Sequence, residues 1–500
     1  MSTETMPNWL MKRAQLTPER IACVYGQQSL TFRALDQRAR RTAISLLEQG
    51  VKQGDRVAIL MKNSLHTVEL IHALHYVGAV LVPLNTRLTV SELRWQMIDA
   101  GACMLIYDDG HVQVAQALAR ALNKVTVVAC EQLTTVDDVR GKHVPLKSTF
   151  ALSDLQAIMY TSGTTGHPKG VMLTYGNHWW SAIGSSLNLG LHIDDRWLVC
   201  VPLFHMSGLS IVMRSVIYGI TMVIHESFVA DVANEAILEE GVTIVSVVSA
   251  MLVRMLDSLG TAYYPASFRC MLLGGGPAPL SLLERCRKKN IPVYQTYGLT
   301  ETASQIATLS PEYMLDKLGS AGKPLFPSEL RIMENSQEQR PGKAGEIVVK
   351  GPSVTQGYWK RAEETAHVLR DGWLYTGDIG YLDAEGFLYV LDRRSDLIIS
   401  GGENVYPAEI EAVLSAHPSI AEAGVTGIAD EKWGEVPVAF VVLKQQVNVT
   451  EDELKQFCHD KLANYKQPVR IHIVDKLPRN AANKLLRRKL LDTLSGKQAD

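Results

Sequence analysis

Short apolar runs alternate with longer segments whose apolar positions recur at helical spacing through most of this chain. Arg56–Met61 reads as a buried strand, Ser64–Val77 as an amphipathic helix, Ala79–Leu84 as a strand and Val90–Ala100 as a helix. Upstream, Trp9–Gln15 reads as a short helix, Ile21–Tyr25 as a strand, and Thr31–Gln49 as a helix closed by Gly50. Further strands are predicted at Met104–Asp108, Val125–Ala129, Trp197–Val201, Met222–Ile224, Ile244–Val248 and Cys270–Leu273, with a helix at Leu280–Lys289. Strands alternating with helices imply a largely parallel sheet covered on both faces. From about Leu330 the texture shifts to short strands and turns, such as Gly345–Lys350 and Gly386–Leu391, which predicts a small β-rich subdomain.

A charged patch, Asp392-Arg-Arg-Ser-Asp396, then interrupts the apolar pattern. Beyond it the chain has its own rhythm. Helices are predicted at Pro407–Ser415 and Glu451–Leu462, strands at Ile420–Val425, Pro437–Leu443 and Arg470–Val474, and a basic helix at the end. The fold class is therefore α/β: a large N-terminal domain over 1–392, a boundary at 393–396, and a small α+β C-terminal domain over 397–500.

Bulk properties narrow the function without naming it. A length of 500 residues exceeds one ordinary domain. A net charge of −2 and the lack of a long basic run give no reason to expect nucleic acid or an anionic membrane as partner. The apolar stretch Gly241–Val253 is too short to span a bilayer, and the N-terminus lacks a signal pattern. Seven scattered cysteines without CxxC pairing suit a reducing, cytoplasmic setting. The sequence leaves a homo-oligomer open.

The chemistry centres on Tyr160-Thr-Ser-Gly-Thr-Thr-Gly-His-Pro-Lys-Gly170. Such a stretch cannot pack an apolar face, but its glycines permit close backbone approach to a ligand. Backbone N–H groups and the hydroxyls of Thr161, Ser162, Thr164 and Thr165 can cradle an anion, and Lys169 supplies a point charge suited to phosphate. It is not a Walker A loop, since Gly170 rather than Ser or Thr follows the lysine.

Other candidates fall at strand ends. Gly274-Gly-Gly-Pro follows the strand at Cys270, where open α/β sheets bind ligands. Tyr297-Gly-Leu-Thr-Glu301 offers an aromatic face, a hydroxyl and a carboxylate able to hold Mg²⁺ beside phosphate oxygens. Asp378 stands in a turn suited to ribose hydroxyls, His205 follows the strand at Trp197, and Lys484 lies in a small-residue loop.

In order and spacing these motifs resemble the adenylate-forming superfamily of acyl-CoA synthetases, peptide-synthetase adenylation domains and luciferases over essentially the whole chain. Pro202–Ser210, Leu272–Pro279, Tyr297–Gln305 and Asp392–Asn404 are most similar to ligases whose aromatic acid substrate carries a second carboxylate. The resemblance implies two steps. A carboxylate attacks ATP, releasing pyrophosphate and forming an acyl-adenylate; the thiol of CoA then displaces AMP.

By motif position, the resemblance implies that Thr161, Ser162, Gly163, Thr164, Thr165 and Lys169 hold the β- and γ-phosphates. Gly275, Gly276 and Tyr297 would line the adenine and acyl pockets. Thr300 would contact the α-phosphate, Glu301 would bind Mg²⁺, and Asp378 with Arg393 would take the ribose. Lys484 would bridge the substrate carboxylate and the α-phosphate. His205, Ser207, Gly208, Ser249, Thr302 and Ile306 would shape the acyl pocket, with Ser249, Arg254 and His205 as candidates for the second carboxylate. The small domain would be mobile, rotating about a hinge at 393–396, after which Gly401, Gly402 and Trp433 would serve CoA. The cofactors implied are ATP, Mg²⁺ and CoA. A rival is a same-fold ligase for another aromatic or fatty acid; a kinase would instead give ADP.

Overall fold

The computed structural model describes residues 4–122, 124–134, 145–161, 168–275, 278, 280–392, 397–444, 449–478, 485 and 487–495. Among these, two sheets build the large domain. The first has six strands in the order Lys169–Thr174, Leu155–Thr161, Val80–Pro83, Arg56–Leu60, Ala102–Tyr107, Thr126–Ala129, parallel except for the antiparallel pair formed by the first two. The second has nine strands, with a parallel centre formed by Val293–Leu299, Cys270–Gly274, Ile244–Val248, Arg196–Val199, Thr221–Ile224 and Ile21–Tyr25.

Two helices are buried almost all round, as a layer within the core requires. In Leu65–Val77 every residue except His66 is buried, and Met206–Tyr218 buries ten consecutive positions apart from Ser207. The amphipathic pattern expected for Ser64–Val77 is therefore replaced by a wholly enclosed helix, whose polar residues must find internal partners. Glu69 does so with Arg38 at 2.7 Å and with Thr42.

Local signals set the helix ends. Thr89 and Glu92 form a reciprocal capping box at the start of Val90–Ala100, and Gly101 closes that helix in the left-handed region. A β-rich subdomain spans Glu329–Asp392, as its texture suggested. The small domain carries a separate sheet in which Ile420–Asp430 and Gly434–Leu443 form a long antiparallel pair. Its last described residues differ from the basic helix expected: Arg487–Lys489 and Leu491–Ser495 are 3₁₀ turns. Tertiary contacts fix them instead, since Arg487 grips both oxygens of Glu411 and Leu490 is buried against Val438, Phe440 and Leu477. The hinge at 393–396 lies outside the described residues.

Candidate active site

A cavity of about 280 Å³ opens at the carboxyl ends of the parallel strands of the nine-stranded sheet. This is where a doubly wound sheet presents ligands. The β-rich subdomain and the turn after Ile398–Ser400 complete its wall.

One end is polar and charged. Thr161, Lys169, Thr300, Glu301 and Asp378 all line it. The Lys169 ammonium lies 5.3 Å from the centre of the Tyr358 ring, and the Tyr358 hydroxyl donates to Glu301 Oε1 at 2.9 Å. Tyr297 sits behind the wall and donates its hydroxyl to buried Asp378 at 2.7 Å, so it orients that carboxylate rather than presenting its own ring. The chain just past Glu301 is strained: Ala303 and Ser304 hold φ of 52° and 104°. Ser181 donates to the Ala303 carbonyl at 2.6 Å, and Thr302 shares its hydroxyl between the Leu299 and Ser304 carbonyls. These contacts hold the turn that aims Glu301.

The same cavity encloses a cation. Arg214, 2% exposed, lines the cavity from the buried helix Met206–Tyr218. Its guanidinium lies 5.4 Å from the Trp197 ring centre, and Nη2 reaches Ser181 Oγ at 3.4 Å. Nε has no hydrogen-bond partner, and no carboxylate pairs with this arginine among the described residues. Burial lowers its pKa from the ordinary arginine value, though an arginine stays charged in a protein. Beside it Ser246 accepts from the Trp197 indole at 3.1 Å, which leaves its own O–H able to donate into the cavity. A buried cation without a counter-ion is costly. An anion from outside the chain would relieve that cost.

The small domain reaches the same cavity. Leu397, Gly402, Asn404 and Tyr406 line it, with Gly401 and Gly402 in the left-handed region at φ of 59° and 86°. A Cβ at Gly401 would stand 2.8 Å from the Trp433 ring, so that tryptophan packs on the turn and leaves about half of itself exposed. Between the glycines and Asn404, Glu403 is buried. Its Oε1 pairs with Arg87 at 2.7 Å, and its Oε2 lies 3.0 Å from His205 Nε2 and 3.1 Å from Asn85 Nδ2. Burial works to raise the Glu403 pKa, but His205, Arg87 and Asn85 outweigh it and hold it below the usual value.

Measured against the sequence reading, the fold gathers Thr161, Lys169, His205, Ser207, Gly275, Thr300, Glu301, Asp378 and Gly402 around one space. Gly208, Ser249, Tyr297, Thr302, Ile306, Gly401 and Trp433 do not line it. A Cβ at Gly208 would press on the Pro202 carbonyl at 2.2 Å, so that glycine serves packing, and Thr302 serves the strained turn. Arg254, a candidate for a second carboxylate, is exposed and lies over Phe228. Ser162, Gly163, Thr164, Thr165, Gly276, Arg393 and Lys484 lie outside the described residues. The sequence reading missed Arg214, Tyr358 and the pairing of Glu403 with His205. A signal for Arg214 was present: it is a lone charge inside the apolar run Leu209–Tyr218.

No group of three or more His, Cys, Asp or Glu residues able to hold a metal occurs among the described residues. One carboxylate, Glu301, lining the same cavity as Lys169 nonetheless suits Mg²⁺ on a nucleotide, since that ion takes few protein ligands and fills its shell with phosphate oxygens and water. No helix among the described residues is long and apolar enough to cross a membrane.

Residues 10–359 match the family AMP-binding enzyme, and residues 409–484 match the AMP-binding enzyme C-terminal domain. The chain is 60% identical to the 2-succinylbenzoate–CoA ligase of Geobacillus kaustophilus, over 97% of each chain. Among solved structures it resembles a double mutant of o-succinylbenzoate CoA synthetase from Bacillus subtilis bound with its product analogue OSB-NCoA. The TM-score there is 0.93 at 48% identity, covering 98% of this chain and 99% of that one. The same Bacillus subtilis enzyme in complex with the acyl-adenylate intermediate OSB-AMP gives 0.76 at 48% identity, covering 97% and 98%. In complex with ATP and magnesium ion it also gives 0.76 at 48%, covering 98% and 100%.

Proposed function

The chain belongs to the AMP-binding enzyme family, and from that membership we propose that it is an AMP-forming acid–thiol ligase acting on 2-succinylbenzoate. It joins one carboxylate of the acid to AMP, with release of pyrophosphate, and passes the acyl group to CoA. Relatives named 2-succinylbenzoate–CoA ligase at 60% and 54% identity support the substrate, and two-carboxylate chemistry supports it independently.

The observation that carries the reading is Arg214. A fatty or simple aromatic acid has one carboxylate, which must meet ATP; nothing in it would answer a second buried cation. In 2-succinylbenzoate one carboxylate can face the nucleotide while the other accepts from Arg214 and Ser246. A bidentate arginine–carboxylate pair adds orientation as well as energy.

At the reacting end the carboxylate is already a nucleophile, so no general base is required. The obstacle is repulsion between two anions and charge growing on the α-phosphoryl group. Lys169 and the loop from Thr161 are assigned to the outer phosphates, Thr300 to the α-phosphate, Asp378 with Arg393 to the ribose and Lys484 to the meeting point of acid and phosphate. Glu301 would hold Mg²⁺, which neutralises phosphate charge when bound. For the second step, Gly401, Gly402 and Trp433 are assigned to CoA, with His205 and Glu403 closing the entrance.

The test is pyrophosphate release with ATP and Mg²⁺ over 2-succinylbenzoate, benzoate, coumarate and a medium-chain fatty acid. Release confined to 2-succinylbenzoate, followed by a CoA thioester, is the expected result. Release with another acid would keep the mechanism and discard the substrate; ADP in place of AMP would discard both.

A further inference from the structure

Lys466 is a lysine buried at the junction of the two domains. It lies in the 3₁₀ turn Asn464–Lys466 of the small domain, and its side chain is 4% exposed. Its ammonium contacts two carboxylates: Glu409 of the small domain at 2.8 Å and Glu92 of the large domain at 2.7 Å. Those side chains are 8% and 10% exposed. Burial works against the lysine's charge, but Glu409, Tyr465 and Glu92 together outweigh it and raise its pKa above the ordinary value.

The two carboxylates have different loyalties. Glu409 belongs to the helix Pro407–Ser415, which follows the cavity-lining turn directly, so its pair with Lys466 travels with the small domain. Glu92 belongs to the large domain, where its Oε2 accepts from the Thr89 backbone N–H and hydroxyl, both at 2.8 Å. That leaves Oε1 for Lys466. Apolar packing accompanies the charge: Ala463 is buried in the same cluster as Leu88, Leu93 and Met97, and Tyr465 packs against it. The contact therefore forms only in this orientation of the domains.

The structures of the Bacillus subtilis relative match this chain to different degrees. This chain superposes at 0.93 on the one with the CoA-product analogue and at 0.76 on the ones with adenylate or ATP, at equal identity. A different placement of the small domain relative to the large one would produce such a gap.

We infer that Glu92 and Lys466 are positioning residues for the thiol step: their ion pair across the domain junction holds Gly402 and Glu403 at the cavity. This rests on the ligase reading above. Neither residue touches the cavity, so neither acts on reacting atoms. Removing the Glu92 charge leaves Lys466 paired with Glu409 inside the small domain and takes one ion pair from the junction, which then rests on Glu403 and on the apolar packing of Ala463 and Tyr465. Adenylation, which uses the other orientation, does not depend on the contact.

The test separates the two half-reactions in the full chain. Glu92→Gln keeps an acceptor for the Thr89 cap and removes the charge. Acid-dependent ATP–pyrophosphate exchange should stay within about twofold of the parent, while single-turnover thioester formation from enzyme-bound acyl-adenylate falls roughly tenfold. Lys466→Gln, made from the other domain, should give the same split. Thr89→Ala weakens the helix cap alone and should lower thermal stability with the ratio of the two rates unchanged. Equal loss in both half-reactions, or no loss in either, overturns the positioning role. Should the parent show no exchange with any acid, the ligase reading itself fails, which the control distinguishes.

Discussion

Tyr358 donates its hydroxyl to Glu301 at 2.9 Å while the Lys169 ammonium lies 5.3 Å from its ring centre. One side chain thus braces both the carboxylate assigned to Mg²⁺ and the lysine assigned to phosphate. Neither group could be paired with this tyrosine from sequence spacing, since Tyr358 lies far along the chain from both.

Tyr358→Phe keeps the ring and removes the hydrogen bond. A lost bond to a charged group costs about 1.5–3 kcal/mol, so adenylation should slow by roughly ten- to a hundredfold. The Mg²⁺ concentration for half-maximal rate should rise with it, because Glu301 is no longer held. Steady-state rates titrated with Mg²⁺ check both. A slower rate with an unchanged Mg²⁺ requirement would separate Tyr358 from the metal.

Acid stability should reflect three enclosed histidines. His72, His75 and His178 are buried, with His72 and His75 rings 5.5 Å apart. Gln156 meets His75 Nε2 at 2.8 Å, whereas both His72 ring nitrogens have no partner among the described residues. Burial lowers the pKa of His72 and His178 to about 3 and that of His75 well below its ordinary value. Each therefore stays neutral in the fold but binds a proton once unfolded below pH 6.5. Their contribution is complete above pH 6.5 and declines as pH falls from there toward 3. The slope approaches about 1.4 kcal/mol per pH unit per histidine. Urea unfolding between pH 7 and 5 should steepen accordingly, and His72→Met should remove about a third of that slope.

The contact of Glu403 with His205 joins the domains at the cavity mouth. Glu403→Gln removes the charge that Arg87 and His205 meet. Thioester formation should fall roughly tenfold as the charge that joins the two domains is lost, with ATP–pyrophosphate exchange much less affected. Equal loss in both steps would place Glu403 in general stability instead.

The alternation of strands and helices was legible because each element is dominated by local periodicity. That Thr161 and Lys169 would face a cavity was legible because glycine, hydroxyl and lysine density has few other uses. The part of the cavity at Arg214 was not. Arg214 and Arg254 each sit in largely apolar helices, and sequence cannot tell which faces inward. Only the fold sets Trp197, Ser181 and Ser246 around Arg214 and leaves Arg254 outside. The C-terminal basic segment misled for a related reason: its pattern suits a helix, but Glu411 and the small-domain core determine its path.

The central claim is that Arg214 receives the carboxylate that does not react. It is tested by comparing kcat/KM for 2-succinylbenzoate with its two mono-acid analogues, each lacking one carboxylate, in the parent and in Arg214→Met. In the parent, the analogue keeping the reacting carboxylate should turn over roughly a hundredfold less efficiently, the scale of a buried charge-assisted pair. In Arg214→Met that preference should shrink to a few-fold, because 2-succinylbenzoate alone loses its partner. An undiminished preference in the variant would contradict the assignment and move the second carboxylate elsewhere.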